Sequence, residues 1–136
     1  MKPVVYKIPL DPRTKKNHMT IAGRGAKCPT CHRFLNLFVK QGKAYDTYAA
    51  SARYYLTPRP PEPISQPVNI SYRFYMKTRR RVDMTNLIQA IDDILVSCGI
   101  IEDDSSRIVA GHDGTRVLYD KDNPRTEILI TPMEVT

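Results

Sequence analysis

Ten residues, Val68 to Lys77 (VNISYRFYMK), alternate apolar and polar without a break. Val68, Ile70, Tyr72, Phe74 and Met76 fall on one side of an extended chain, and Asn69, Ser71, Arg73, Tyr75 and Lys77 on the other. Side chains alternate faces along a strand, so this is the pattern of a strand with one face buried. The period then changes within a few residues. Leu87, Ile88, Ile91, Ile94, Leu95 and Cys98 recur at helical spacing and make one continuous apolar face. Asp83 or Thr85 can cap the first free N–H groups, and Gly99 is placed to end the helix in a left-handed turn. A half-buried strand followed by an amphipathic helix needs a sheet with helices packed on it.

The remaining chain extends that outline. Val4–Leu10 reads as a first strand, His18–Ile21 and Arg33–Val39 as two short strands, and Tyr45–Leu56 as a helix with Tyr45, Tyr48, Ala49, Ala52 and Leu56 on one face. The proline-rich run Thr57–Pro67 ends that helix and serves as a stiff connector. Arg107–Ala110, Arg116–Tyr119 and Thr126–Thr131 read as further strands, separated by the turn-forming HDGT and DKDNP. The expected fold is α+β: one domain over residues 1–136, with a small mixed sheet and two main helices on one face.

Charge narrows the partners. The chain carries a net charge of +7, with 21 Lys and Arg against 14 Asp and Glu. That excess favours an anionic partner, nucleic acid first. No apolar run reaches the roughly 18–20 residues of a membrane span, and the start lacks the long apolar segment of a signal peptide. The expectation is a cytoplasmic protein. Lys15 and Lys16 sit on a turn that can approach a phosphate backbone, and Arg79, Arg80 and Arg81 stand just before the apolar helix. The three cysteines do not form a disulfide framework. Cys98 reads as a core thiol, while Cys28, Cys31 and His32 (CPTCH) make half a structural Zn²⁺ site, which requires four ligands. Ser105 and Ser106 have no His and Asp arrangement to make them nucleophiles.

Against this basic background the acids cluster at the two ends of the apolar helix. Asp83 stands before it, and Glu102, Asp103 and Asp104 follow it. Consecutive carboxylates repel unless a cation offsets them, and hard divalent cations take carboxylate oxygens. Mg²⁺ among arginines suits phosphodiester hydrolysis: acids hold the cation and bases hold the polyanion. A helix from Met84 to Cys98 is about 22 Å long, and Gly99–Asp104 extends to at most about 20 Å. Asp104 can therefore meet Asp83 after a sharp reversal at Gly99, or from a second subunit. Asp93, about 15 Å along the helix from Asp83, is a weaker ligand for the same ion and a better structural hydrogen-bonding group. Asp92 reads as a solvated helix charge.

The residues Asp83, Asn86, Leu87, Ala90, Asp93 and Leu95, then Gly99, Asp103, Asp104 and Ser105, resemble the central motif of the RusA-like family of Holliday junction resolvases. The upstream PRTKKN and the terminal NPRTEILI are similar to other family segments. The resemblance implies a homodimeric, Mg²⁺-dependent endodeoxyribonuclease of bacterial or phage origin, with Mn²⁺ as the other candidate ion and no small-molecule cofactor. It implies paired symmetric nicks in four-way DNA during recombination and repair, with Asp83, Asp104 and Asp103 as metal ligands and, with Asn86, as catalytic residues. Thr85 and Gln89 depart from the family's usual aspartate and lysine. That departure favours the alternative of a weak or inactive junction-binding module; an enzyme for flaps or other branched DNA is a third reading.

Overall fold

The computed structural model describes residues 1–14, 20–22, 38–40 and 43–133. The alternating stretch is the centre of the molecule. It forms the longest strand, which with β1 (Val4–Ile8), β2 (Thr20–Ala22) and β3 (Phe38–Lys40) before it is β4 (Val68–Met76). Its inward residues Val68, Ile70, Tyr72, Phe74 and Met76 are all buried, as the period of two requires. β7 (Arg125–Pro132) pairs with it antiparallel along its length, and β1 pairs antiparallel with the far side of β7. The other side of β4 carries two short parallel strands end to end: β5 (Val109–Gly111) beside Val68–Asn69, and β6 (Arg116–Tyr119) beside Arg73–Met76. β2 and β3 pair with each other as a separate hairpin.

α1 (Lys43–Tyr55) and α2 (Met84–Ser97) cover the face that carries Ile70 and Tyr72. α1 buries Tyr45, Tyr48 and Ala52, and α2 buries Leu87, Ala90, Ile91, Ile94 and Leu95. The connector after α1 enters through a cis Thr57–Pro58 bond. It is held by Ile64, which bridges Ile101. Cys98 is buried, as expected of a core thiol. The fold is thus α+β with a mixed five-stranded sheet and two helices.

Differences from the sequence-based boundaries are small and local. The strand expected at Arg107–Ala110 begins at Val109, because Ile108 and Val109 both donate to the Ser105 carbonyl (3.0 and 2.8 Å) in a turn. Gly111 and Gly114 follow, and Gly114 takes φ +89, which favours glycine. Asn69 clamps that turn like a peptide group: its amide nitrogen donates to the Asp113 carbonyl (3.1 Å) and its oxygen accepts from the Asp113 N–H (2.8 Å). Residues 18–19 and 33–37 of the two expected short strands lie outside the described residues.

Candidate active site

α2 begins where the sequence places its acid. Asp83 holds extended backbone (φ −87, ψ 117) and is the N-cap, its Oδ1 accepting from the Thr85 N–H at 2.9 Å. Short side-chain oxygens satisfy a free N–H there, and the helix dipole favours their charge. The side chain is exposed, and its second oxygen has no partner among the described residues. Arg79, Arg80 and Arg81 are exposed immediately upstream. The Arg79 guanidinium lies 4.1 Å from the centre of the Tyr119 ring, which fixes it beside the end of β6. Thr85 and Gln89 are exposed on the first turns of α2, and Asn86 is half-buried.

The second acidic group stands at the other end of the layer. Gly99 takes φ +73. Ile100 donates back to the Leu95 carbonyl at 3.0 Å, so the helix closes with a left-handed turn. Ile100 and Ile101 are buried and tied to Ile64 on both sides, with Ile64 donating to the Ile100 carbonyl (2.9 Å) and Glu102 donating to the Ile64 carbonyl (3.0 Å). Glu102, Asp103 and Asp104 then emerge exposed. Asp103 Oδ1 accepts from the Asp104 N–H at 2.8 Å. Hydrogen bonds from Ser105 and from the Asp104 backbone hold the Asp103 carboxyl below its usual range. Partial burial, then the hydrogen bond and charge of Asp103, and more weakly the charge of Asp93, push Asp104 up. Asp93 is thus an electrostatic neighbour of Asp104. It lines a cleft between α1 and α2 with Tyr45 and Asp46.

Topology decides which acids can meet. β4 and β5 run parallel, so α2 crosses back over β4 in the opposite direction. Its start lies near Met76, and its end lies near Val68. Ser105 accepts from Val109, and Val68 donates to the Ile108 carbonyl at 2.8 Å, which keeps Asp104 at the Val68 end. The fourteen residues of α2 span about 21 Å, so Asp83 and Asp104 of one chain sit towards opposite ends of that helix. No group of three His, Cys, Asp or Glu side chains among the described residues is close enough to hold a metal ion.

One acid overturns its sequence reading. Asp92, expected to be solvated, is buried at 7% exposure. Tyr72 donates its phenol to Asp92 Oδ1, and His112 Nε2 lies 3.2 Å from Asp92 Oδ2. His112 Nδ1 is 2.8 Å from the Ile70 carbonyl, and its ring stacks on Tyr72 at 5.5 Å. Carbonyl and carboxylate oxygens accept, so this setting favours the ring with both nitrogens protonated. Burial pushes the His112 pKa down. The Asp92 hydrogen bond and charge, with the Ile70 carbonyl, outweigh it, and the net shift is upward. The sequence carried the signal: Asp92 is four residues after Ile88 and three before Leu95, inside the apolar face. The group ties α2 to β4 and to the β5–β6 connection, and so sets where the α2 ends stand.

Lys15, Lys16, Cys28, Cys31 and His32 lie outside the described residues. No helix among the described residues is long and apolar enough to cross a membrane. A comparison with curated proteins finds no match. The family model described as Endodeoxyribonuclease RusA matches residues 9–131, which include β2 to β6, both helices, both acidic groups and nearly all of β7, and begin just after β1. The chain belongs to the RusA endodeoxyribonuclease family, the Holliday junction resolvases.

Proposed function

We propose that this protein is a homodimeric, Mg²⁺-dependent resolvase that nicks two strands of a four-way DNA junction symmetrically. The observation that carries the reading is the α2 N-terminus: an exposed Asp83 carboxylate with an unused oxygen, set directly after three exposed arginines, in a chain of this family. The donor set fits a hard cation. Asp83, Asp103 and Asp104 offer carboxylate oxygens, and the repulsion between Asp103 and Asp104 is what a cation relieves. Bound there, the ion polarises the phosphate and lowers the pKa of an attacking water. Arg79, Arg80 and Arg81 neutralise the flanking phosphates, and the Asp83 cap fixes the first carboxylate on a rigid helix. With α2 separating the two acidic groups of one chain, a complete ligand set takes Asp83 from one subunit and Asp103 and Asp104 from its two-fold partner. Asn86, on the first turn of α2, supplies a neutral amide oxygen beside Asp83. Lys15 and Lys16 add phosphate contacts.

Titrating Mg²⁺ against nicking of a four-way junction, a flap and a plain duplex tests the substrate and the ion. The junction is expected to be cut fastest, and Asp83→Asn is expected to stop nicking while junction binding persists. Parent-rate nicking by Asp83→Asn would remove the site assignment. Junction binding without nicking by the parent would instead favour the non-catalytic module that Thr85 and Gln89 allow, and a flap preference would favour the branched-DNA reading. Mixing Asp83→Asn with Asp104→Asn tests the sharing of the site. Random exchange leaves about half the dimers mixed, each with one intact shared site, so about a quarter of parent nicking returns. A site contained within one chain gives no recovery.

A further inference from the structure

α2 carries both parts of the acidic set, Asp83 at its start and, beyond Gly99, Asp103 and Asp104 at its end. It grips the sheet with an apolar face of Leu87, Ala90, Ile91, Ile94 and Leu95. Apolar contact has no preferred direction, so it fixes the place of a helix along a sheet less sharply than a hydrogen bond does. The directional tie comes from Asp92. Tyr72 donates to one of its oxygens, and His112 Nε2 lies 3.2 Å from the other. His112 Nδ1 lies 2.8 Å from the Ile70 carbonyl. A ring with both nitrogens protonated serves both acceptors, whereas a neutral ring has one N–H and turns a lone pair towards the carboxylate or the carbonyl. Losing the proton thus replaces an attraction with a repulsion in a half-buried place. The groups facing His112 are Asp92 from α2, and Tyr72 and the Ile70 carbonyl from β4. Asp113 is its exposed neighbour on the β5–β6 connection, and Asp93 and Tyr48 act on the group through Tyr72.

We propose that His112 is a positioning residue for strand nicking: protonated, it locks α2 on β4 in the place that presents Asp83 and Asp104 to the metal, and unprotonated it releases that lock. The inference rests on the resolvase reading above and adds a proton-dependent control to the same site. Asp83 is nine residues from Asp92, about 14 Å along the helix, so a small turn of α2 at Asp92 is carried to its ends. Reaction geometry tolerates little of this, since a misplacement of about 1 Å costs about a hundredfold in rate. The upward shift of the His112 pKa puts the release above 6.5, so nicking is supported at lower pH and falls as pH rises through the folded value.

Nicking of a four-way junction at saturating junction and Mg²⁺, followed from about pH 6 to about pH 9 across the ordinary histidine range, tests the lock. The parent's rate should fall with a midpoint that matches the His112 ring in a proton NMR titration. His112→Gln should stay folded by circular dichroism, lose that midpoint and nick about 10- to 100-fold more slowly. Its junction binding without metal should equal the parent's, so the loss falls on kcat and not on KM. A role in folding alone would lower the folded fraction and leave the rate per folded molecule and its pH profile as in the parent, which overturns the inference. The backbone amides of Thr85 and Asp104 give a readout that needs no nicking. Their NMR shifts should follow the His112 midpoint in the parent and not in His112→Gln, which keeps Cys98 and every acid. Amides that ignore the His112 titration, or that keep the same midpoint in His112→Gln, overturn the inference. If the parent nicks no DNA, the resolvase reading fails and the same amides still decide whether His112 positions α2.

Discussion

Replacing Asp92 with alanine should cost more than any other single acid in this chain, although Asp92 has no place in the metal set. The side chain is 10% exposed and bonds both Tyr72 and His112, whose own side chain is 25% exposed. Removing one partner of a buried ion pair typically costs about 3–5 kcal/mol. The partial exposure of His112 puts this pair at the low end, about 3 kcal/mol, made up of an orphaned Tyr72 hydroxyl and a lost charge-assisted bond. For a domain of this length the unfolding entropy near the midpoint is about 0.3 kcal/mol/K, so the melting temperature should fall by about 10 °C. Tyr72→Phe removes one hydrogen bond and leaves the ion pair, and should cost about 1–1.5 kcal/mol.

The dependence on pH separates the ion pair from simple packing. The folded His112 pKa lies above its ordinary value of 6.5. A raised pKa means that the folded state binds the proton more tightly than the unfolded state. The stabilisation is therefore complete below about 6.5 and fades as pH rises through the higher folded value. Urea denaturation of parent and Asp92→Ala at pH 6 and pH 9 measures it. The gap between them should be wide at pH 6 and narrower at pH 9, while Tyr72→Phe keeps the parent's pH response. A gap below about 1 kcal/mol, or one that does not shrink with pH, would refute the imidazolium assignment.

Gly114→Ala should destabilise the protein by about 2 kcal/mol, because the residue holds φ +89 and a Cβ would sit 2.9 Å from Ser71 Oγ; a thermal melt reads this directly. Thr85→Asp places a second carboxylate on the exposed first turn beside Asp83. It should lower the Mg²⁺ concentration for half-maximal nicking and add about 0.3–1 kcal/mol of helix stability. Junction affinity should fall steeply with salt, and Arg80→Ala should reduce the slope of log K against log salt by about 0.9, the share of one phosphate contact. Fluorescence anisotropy across a salt series checks both, and a flat parent response would remove the arginines from the DNA face.

The sequence disclosed the elements whose patterns are local. β4 and α2 follow from periods of two and 3.6, and Asp83 and Gly99 marked the helix ends because capping depends on neighbours in sequence. Strand β5 moved because its turn is set by Ser105, a contact that no periodicity records. Asp92 was misread because charge outweighed position: the helical repeat put it on the buried face, and its partners lie 20 residues away in each direction, at Tyr72 and His112. The candidate metal site was legible as a list of residues and not as a place. Six residues have the contour length to run back along α2, but Ile100 and Ile101 are committed to Ile64, and that commitment belongs to the parallel crossover. Once the crossover is fixed, the distance between the two acidic groups of one chain is fixed with it.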